Sequence, residues 1–318
     1  MKIAFISGVL FGYYILEEIL NQGFDVKVVF SYEDSKKESY SDYISFDKIC
    51  EKENINHVKV KNINDSSNIE ILKNLQPDII LVMGWSQLLN DEIISIPKIG
   101  VIGSHPTELP KFRGRAPIPW TILKDLKESA LTFFFIEKGI DDGDIIDQEK
   151  FLVDENDDAS ILYKKIVRIG KKMIVRNLKL LEKNIVKRRK QKPSEFIEYW
   201  GKRTPENGLI NWEKSCVDIN RLIRATTHPY PGAFTYYQNK KLKIFKSEKI
   251  ENGISEPRKI ISILPEGVMV GTGSGCIILK TVQYNSDIEK NATKVFSERD
   301  IGNLFEKLHK DRKIDDEC

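Results

Sequence analysis

The amino-acid sequence predicts an α/β protein with two domains, a doubly wound and mostly parallel sheet followed by a small antiparallel β-barrel. Its first half alternates short, continuously apolar runs with segments of helical spacing, which is the pattern of βαβ units. After Trp200 the pattern changes to short strands separated by glycine-rich turns, as in small antiparallel barrels. The length of 318 residues fits this division, because roughly 150 residues make one domain.

The elements of the first domain follow from apolar runs and helical periodicity. Residues 78–83 form the clearest strand, because five apolar residues follow one another without alternation, as in a strand covered on both faces. A long helix is expected over 157–181, capped by Asp157 or Asp158, with a packing face formed by Ile166, Ile169, Met173 and Leu180. Other strands are expected at 1–6, 25–30, 58–60, 99–102 and 131–136, and a shorter helix at 14–20.

The second domain is expected to consist of β-hairpins. Its strands are predicted at 234–237, 242–245, 259–264, 267–271 and 276–282. The basic run from Lys187 to Pro193 marks the boundary; such a run is typical of a solvated linker, and contact with a polyanion is the alternative. We therefore assign residues 1–190 to a catalytic domain, 191–202 to a linker and 203–318 to the β-barrel.

Composition excludes several classes of protein. The 50 Lys and Arg residues against 47 Asp and Glu give a net charge of +3, which excludes a strongly basic nucleic-acid coat protein and an acidic tail protein. The four cysteines lie far apart without a Cys-x-x-Cys pair, so a disulfide scaffold or a thiolate zinc site is not expected. The apolar N-terminal stretch 3–16 is too short to span a bilayer, and no cleavage site follows it. We expect a cytoplasmic protein.

One histidine lies where a doubly wound sheet binds its ligands. His105 follows the strand 99–102, and Asp141 lies in a polar cluster, 139–144, after the strand 131–136. A carboxylate beside an imidazole fixes its tautomer and raises its pKa, which suits proton transfer near neutrality. His57, His228 and His309 have structural explanations from their positions at a strand start, in a loop and on a polar helix.

Other site types are disfavoured by the same residues. The cluster 139–144 is too short for an EF-hand and lacks its closing Glu, so a calcium loop is the weaker alternative. The segment 7–12 lacks the Gly-x-Gly-x-x-Gly fingerprint of nicotinamide enzymes. A Gly-x-Ser-x-Gly elbow and a P-loop are also absent from the sequence, which argues against serine hydrolases and Walker-type enzymes.

The sequence resembles the folate-dependent N-formyltransferases over nearly its whole length. HPTELPKFRGRAP at 105–117, with Gly103 and Ser104 before it, is similar to the family's Asn-x-His-x-Ser-Leu-Leu-Pro-x-x-Arg-Gly-x-x-Pro segment. GIDDGDI at 139–145 resembles its Gly-x-Asp-x-Gly-x-Ile loop, and PDIILVMGWSQLL at 77–89 resembles its pterin-side strand and loop. Matches in the second half are RTPE at 203–206, INW at 210–212, RATTHPYPGAF at 224–234 and VGTGSG at 270–275.

The resemblance implies a fold, a reaction and a set of site residues. It implies a Rossmann-like catalytic domain, an OB-like second domain, 10-formyltetrahydrofolate as the formyl donor, an amine as the acceptor and no metal. His105 and Asp141 correspond to the family's catalytic pair. The residues that correspond to its folate site are Met83, Gly84, Trp85, Leu88, Thr107, Leu109, Pro110, Ile140 and Asp142. Met83 and Trp85 suit a flat heterocycle, although both could instead cap the sheet edge.

Gly103 departs from the family pattern, which has an Asn two positions before the histidine. That amide would donate a hydrogen bond to the formyl oxygen, a contribution of roughly 3 kcal/mol. We expect the donor to be Ser104, which we include among the catalytic residues, or a backbone N–H, a water or protonated His105. Glu108 in place of a Leu is a milder departure.

A nucleotide-linked amino sugar is the acceptor that the sequence favours. Residues 31–42, where tRNA-formylating members carry a basic insertion, hold two Lys against four acidic residues, a net charge of −2 that is unsuited to gripping phosphates. The segment 113–120 also resembles the sugar enzymes, and we expect Lys111, Arg113 or Arg115 to bind a pyrophosphate, with Arg113 packing the loop as its alternative role.

Two other functions are compatible with the sequence. Methionyl-tRNA formylation is one alternative, and a catalytically silent binding protein is the other. Loss of the Asn at Gly103 suggests the silent protein, whereas retention of His105 and Asp141 opposes it. We expect neither nucleic-acid nor membrane partners, and a homodimer is left open.

Overall fold

A computed structural model describes residues 1–186, 188–192, 196–253, 256–285 and 287–307 of the chain. Its strands are β1 Ile3–Ile6, β2 Val26–Tyr32, β3 Asn56–Val60, β4 Ile79–Val82, β5 Gly100–His105, β6 Phe112–Gly114, β7 Glu128–Phe135, β8 Ile145–Leu152, β9 Glu198–Trp200, β10 Ala233–Tyr237, β11 Lys240–Ile250, β12 Ile260–Leu264, β13 Gly267–Gly271, β14 Cys276–Tyr284 and β15 Lys290–Asn291. Its α-helices are α1 Leu10–Asn21, α2 Asp47–Lys52, α3 Ser66–Leu75, α4 Asp91–Ser95, α5 Pro117–Leu123, α6 Ala159–Glu182 and α7 Cys216–Thr226. Four short 3-10 helices lie at Asp34–Ser39, Pro205–Gly208, Ala292–Lys294 and Glu298–Asp300.

The chain forms two compact units. The first contains Met1–Thr121, Leu126–Asn156 and Ile161–Lys202, and the second begins at Arg203 and also includes two short pieces, Ile122–Asp125 and Asp157–Ser160. In the part of the chain that the structure describes, no helix has both the length and the apolar character needed to cross a membrane. Lys187, Pro193, His309 and Cys318, which enter the sequence argument, lie outside the described residues.

The first unit is organised around a seven-stranded sheet in the order β3-β2-β1-β4-β5-β7-β8. Its first five strands are parallel, and β7 and β8 continue the sheet antiparallel beyond β5. The order reverses between β1 and β4, and such a switch point is where doubly wound sheets bind ligands. The predicted mostly parallel sheet is confirmed; β8 and the small β6–β9 sheet were not predicted.

The buried face of α6 is rotated relative to the predicted one. Ile166 and Met173 are buried as expected, whereas Ile169 and Leu180 are only half-buried. The face that packs inward is completed by Leu162, Ile174, Leu178 and Leu181. The predicted stripe was therefore wrong at two of its four positions, because several apolar spacings are compatible with one long helix and only tertiary packing selects among them.

The second unit holds an antiparallel sheet in the order β10-β11-β14-β13-β12, with β15 paired to β14. Residues from each of the five main strands and from α7 share one core, to which Leu242, Val270 and Leu279 of the strands belong. Trp212 and Phe305, which lie outside the strands and helices, also belong to this core. Trp212 stacks on Phe305 with ring centroids 5.1 Å apart, and its indole N–H donates to the Thr235 hydroxyl. The sequence prediction of a small antiparallel β domain is confirmed.

The acidic segment 31–42 packs against other residues of the first unit, to which it belongs. Tyr40 stacks on Tyr32 with ring centroids 4.3 Å apart, and Tyr32 stacks on Trp85 at 3.8 Å. At the end of the segment, Tyr163 of α6 donates a hydrogen bond of 2.7 Å to the Asp42 carboxylate. The same hydroxyl accepts a hydrogen bond of 2.7 Å from the Phe11 amide. Burial raises the pKa of Asp42 above its ordinary value, and the bond from Tyr163 opposes that rise.

We predict that Tyr163→Phe lowers the free energy of unfolding by about 1.5–3 kcal/mol, because a buried carboxylate and a buried amide each lose a partner. Urea denaturation of the purified protein measures this change. Tyr13→Phe is the matched control, because the Tyr13 ring packs edge-on against Phe46 and its variant retains that contact. Equal stabilities of the two variants would contradict the prediction.

Candidate active site

His105 and Asp141 meet at the carboxyl end of the parallel strands. His105 is the last residue of β5, and its side chain is 7% exposed. Its Nδ1 lies 3.7 Å from the Asp141 Oδ2, which is an electrostatic contact rather than a close hydrogen bond. The structure thus brings together the two residues that the sequence selected.

The charge state of His105 follows from its burial. Burial lowers the pKa of His105 below its ordinary value, and the Asp141 carboxylate and the Phe112 backbone oppose that shift. The ring is therefore neutral near neutral pH and can accept a proton. Its Nε2 is buried and has no hydrogen-bond partner in the part of the chain that the structure describes. Since Asp141 favours a proton on Nδ1, Nε2 is the nitrogen that presents a lone pair.

Asp141 is held in a left-handed backbone conformation. Its φ is +51°, and its Oδ2 accepts a hydrogen bond of 2.9 Å from the Gly114 amide. Two residues later, a Cβ at Gly143 would lie 1.9 Å from the Phe135 carbonyl oxygen, so only glycine permits this close approach. The turn thereby carries Asp141 from the end of β7 to the side of His105.

Gly103 and Ser104 lie on opposite faces of β5. Strand alternation places the side-chain position of Gly103 on the same face as His105 and turns Ser104 to the other face, so the structure does not bring Ser104 to His105. A Cβ at Gly103 would lie 2.9 Å from Cγ1 of Ile136 and 3.4 Å from Cε1 of Phe134. Ile136 therefore fills the space into which an Asn side chain would project.

Six of the predicted folate residues lie on two loops, one that follows β4 and one that follows β7. Met83 is fully buried, and Gly84 has a φ of +70°. Leu88 and Ile140 are 71% and 51% exposed, which is unusual for large apolar side chains at a sheet edge. A cleft of about 590 Å³ is lined by Asp142, alone among the predicted folate residues, together with Asp91, Ile94, Ser95, Glu137, Lys138 and Gly139.

Trp85 has one ring face covered by Tyr32, so only its other face remains for a ligand. Its indole N–H is buried without a hydrogen-bond partner among the described residues. One ring face therefore caps the sheet edge through its contact with Tyr32. The other face and the indole N–H, which has no partner among the described residues, remain for a ligand.

Thr107, Leu109 and Pro110 form a buried loop next to His105. The Thr107 hydroxyl donates to the Phe112 carbonyl, and its own carbonyl accepts a bond of 2.6 Å from Thr132. Gln148 donates a bond of 2.9 Å to the Leu109 carbonyl. These contacts fix the loop, and the role of its residues in binding folate stays a prediction.

The three predicted phosphate-binding cations differ in their surroundings. Arg113 is buried and donates to Gln191 at 2.7 Å and to the Tyr199 hydroxyl at 3.2 Å, which fits its alternative role in packing the loop. Lys111 forms an ion pair of 3.0 Å with Glu108. Arg115 is exposed, and only its backbone amide is engaged, with the Trp200 carbonyl, within the described ranges.

Sequence reasoning missed a second histidine cluster. Nε2 of His57 lies 2.8 Å from the Ser31 hydroxyl, and its Nδ1 lies 3.1 Å from the Asp47 carboxylate. Ser31 is only 2% exposed, so a substrate cannot reach its hydroxyl. This Ser-His-Asp arrangement therefore supports the β2–β3 edge and is not a second catalytic site.

Gln191, Tyr199 and Trp200 also contact the site loops, and the sequence assigned them only to a linker. Trp200 pairs with Gly114 in the β6–β9 sheet and stacks on Phe112 at 4.7 Å. A lone glutamine in a basic linker carries no periodic signal that could have revealed this role. Within the described ranges, no three His, Cys, Asp or Glu side chains are grouped so as to hold a metal ion.

A neutral, buried histidine beside an aspartate at the sheet edge has the chemistry to accept a proton. The family model for formyl transferase matches residues 1–178, and that for the formyl transferase C-terminal domain matches residues 202–299. The chain therefore belongs to the formyl transferase family, and the resemblance deduced from the sequence is confirmed.

Individual relatives point to two acceptor classes. A methionyl-tRNA formyltransferase of Clostridium tetani is 34% identical over 291 residues, covering 90% of this chain and 93% of the relative. WlaRD, a sugar 3N-formyl transferase solved in the presence of dTDP and 5-N-formyl-THF, is 24% identical with a TM-score of 0.67, covering 91% of this chain and 99% of its own. An N-formyltransferase of Helicobacter canadensis in complex with folinic acid and dTDP-3-aminofucose is 23% identical with a TM-score of 0.67, covering 88% and 98%. The two solved structures establish the fold.

We predict that Gly103→Asn reduces turnover and lowers the free energy of unfolding by about 1–3 kcal/mol, because the new side chain meets Ile136. Steady-state kinetics and urea denaturation measure the two effects. Gly103→Ala is the matched control, since it adds only the Cβ and should cause a smaller loss of both. A higher rate in Gly103→Asn at unchanged stability would show instead that the site lacks an amide donor.

Proposed function

We propose that the protein transfers a formyl group from 10-formyltetrahydrofolate to the amino group of a nucleotide-linked amino sugar. The observation that carries the reaction is the buried His105, whose Nε2 has no hydrogen-bond partner among the described residues while Asp141 lies beside Nδ1. Membership of the formyl transferase family specifies the group that is moved. The acceptor rests on separate observations about the loops around the site.

The proposed reaction needs one proton carrier. The unprotonated acceptor amine attacks the formyl carbon, and the carbonyl electrons move onto the formyl oxygen. Nε2 of His105 takes a proton from the attacking nitrogen and gives it to N10 of the folate. The electrons on the oxygen then re-form the C=O bond as the bond from carbon to N10 breaks and its electron pair leaves with N10. Asp141 stabilises the imidazolium that exists between these two transfers.

The loops beside the cleft suit a flat, partly apolar donor. Leu88 and Ile140 expose apolar surface on the two loops, and the indole N–H of Trp85 has no hydrogen-bond partner among the described residues. The solved WlaRD and Helicobacter canadensis enzymes were crystallised with formylated folates, which supports the same donor for this chain. Binding of folate at Met83, Gly84, Trp85, Leu88, Ile140 and Asp142 is part of this proposal.

The acidic segment favours a small acceptor over a tRNA. Asp34 is tied to Lys59 and to the Tyr43 hydroxyl, Asp42 accepts from Tyr163, and Tyr40 is stacked on Tyr32. The segment holds two lysines against four acidic residues, and its net charge of −2 is unsuited to binding polynucleotide phosphates. Of the two solved enzymes, one was crystallised with dTDP and the other with dTDP-3-aminofucose, which supports a nucleotide-linked acceptor for this chain.

Methionyl-tRNA is the second candidate acceptor, because the Clostridium tetani relative carries that activity in its name. The two candidates differ in how much positive surface they need. A nucleotide diphosphate requires one or two cations, and the exposed Arg115 provides one without losing an existing side-chain contact in the described structure.

We predict that His105→Ala and Asp141→Ala each lower turnover by at least about 100-fold, the scale of general acid–base catalysis. Circular dichroism establishes that both variants are folded, and formyl transfer is followed by mass spectrometry. His228→Ala is the matched control, because His228 is half exposed and pairs with Glu289 in the second unit. Near wild-type turnover in either site variant would exclude that residue from the reaction.

We predict that dTDP- or UDP-linked amino sugars gain one formyl group with a kcat/KM at least about 100-fold above that of methionyl initiator tRNA, because the tRNA meets an acidic surface. Arg115→Ala should lower kcat/KM for the sugar about 10-fold, the loss of one charge-assisted hydrogen bond. Arg299→Ala, an exposed arginine of the second unit, is its control. Faster formylation of the tRNA would establish the second candidate.

A further inference from the structure

A single amide side chain connects the two loops that carry the candidate site. The Nε2 group of Gln191 donates to the carbonyl oxygens of Asp141 at 2.9 Å and of Gly143 at 2.8 Å. Its Oε1 accepts a hydrogen bond of 2.7 Å from Arg113. Both ends of the amide are therefore used, with good geometry at all three bonds.

Arg113 determines which way the amide points. A guanidinium only donates hydrogen bonds, so it requires the oxygen of Gln191, which turns the NH₂ group toward the two carbonyls. Arg113 is itself buried and bound to the Tyr199 hydroxyl. The orientation of the amide is thus fixed by a residue that cannot change its protonation state.

The turn that Gln191 holds is one that needs support. Asp141 is not a glycine, yet its φ is +51°, a conformation that disfavours L-residues by roughly 1–2 kcal/mol. Its carboxylate is held by the Gly114 amide, whereas its carbonyl is held by Gln191. The backbone and the side chain of Asp141 are therefore secured from two different elements.

We propose that Gln191 is a positioning residue, whose amide keeps the Asp141–Gly143 turn in the conformation that places the Asp141 carboxylate beside His105. This role rests on the proposed functions of His105 and Asp141. Gln191 does not touch His105; it acts through Asp141, so its effect on the reaction requires the carboxylate.

The kinetic test uses Gln191→Met, which keeps the volume and loses all three hydrogen bonds. We expect kcat to fall about 10- to 100-fold, the scale of a displaced catalytic group, with KM for the acceptor within about twofold. In the Asp141→Asn background the same substitution should change kcat by less than about twofold. Independent, multiplying losses in the double variant would overturn the proposal.

Gln191→Glu tests the two donated hydrogen bonds without changing the size of the side chain. It replaces Gln191→Met as the test variant if Gln191→Met does not fold. A glutamate still accepts from Arg113 but cannot donate to the two carbonyls, so it should lose kcat as Gln191→Met does. Gln283→Met is the matched control, since Gln283 donates to the Asp287 carbonyl in the second unit and its loss should leave kcat unchanged. Full activity of Gln191→Glu would overturn the proposal.

A substrate-free measurement separates this proposal from the proposed function. Asp141 and the Phe112 backbone are the groups that raise the pKa of His105 against the effect of burial. Titration of the histidine ring protons by NMR should show the pKa of His105 falling by about 0.5 unit or more in Gln191→Met. His57, whose contacts are with Ser31 and Asp47 and not with Gln191, is the internal reference.

The two measurements fail in different ways. If Asp141→Asn retains full kcat, the catalytic assignment is wrong, and the titration alone decides whether Gln191 positions the carboxylate. If the pKa of His105 is unchanged in Gln191→Met, the positioning role is wrong even where Asp141 proves essential.

Discussion

The hydrogen bond from the Gly114 amide to the Asp141 carboxylate is the contact on which the geometry of the candidate site depends. It joins β6, which follows the His105 loop, to the turn after β7, and so connects two segments that follow different strands of the sheet. This hydrogen bond holds the Asp141 carboxylate 3.7 Å from Nδ1 of His105, a distance at which it can stabilise a protonated His105 ring. The close packing at Gly143 and the stacking of Trp200 on Phe112 support the two sides of this one bond.

Burial gives His105 a property that its sequence neighbours do not reveal. The imidazole is desolvated enough to be neutral, yet a carboxylate stands at 3.7 Å to stabilise its charged form once a proton arrives. In the proposed reaction, such an imidazole can accept a proton at neutral pH, and the carboxylate offsets the charge that it acquires. The second histidine cluster, Ser31-His57-Asp47, has shorter contacts, and both histidines are largely buried, so neither contact distance nor burial alone distinguishes the two sites.

The sequence predicted features that depend on local periodicity or on the end of a strand. Strands β1 and β4 are continuously apolar because they are covered on both faces, and His105 is the last residue of β5, so both could be recognised. The phase of α6, the β6–β9 pairing and the contacts of Gln191 could not, since each depends on partners brought together only by tertiary packing. The stacking of Tyr32 on Trp85 likewise joins residues 53 positions apart, and it limits the ring to one free face.

The contact between Gly103 and Ile136 makes the two positions evolutionarily interdependent. An asparagine introduced first would be crowded by Ile136, which typically costs 1–3 kcal/mol in a packed region. A smaller residue introduced first at 136 would leave a void beside Phe134 and Leu109, where Ile136 packs. Either single substitution is therefore expected to destabilise the protein, so an asparagine at position 103 requires a compensating change at position 136.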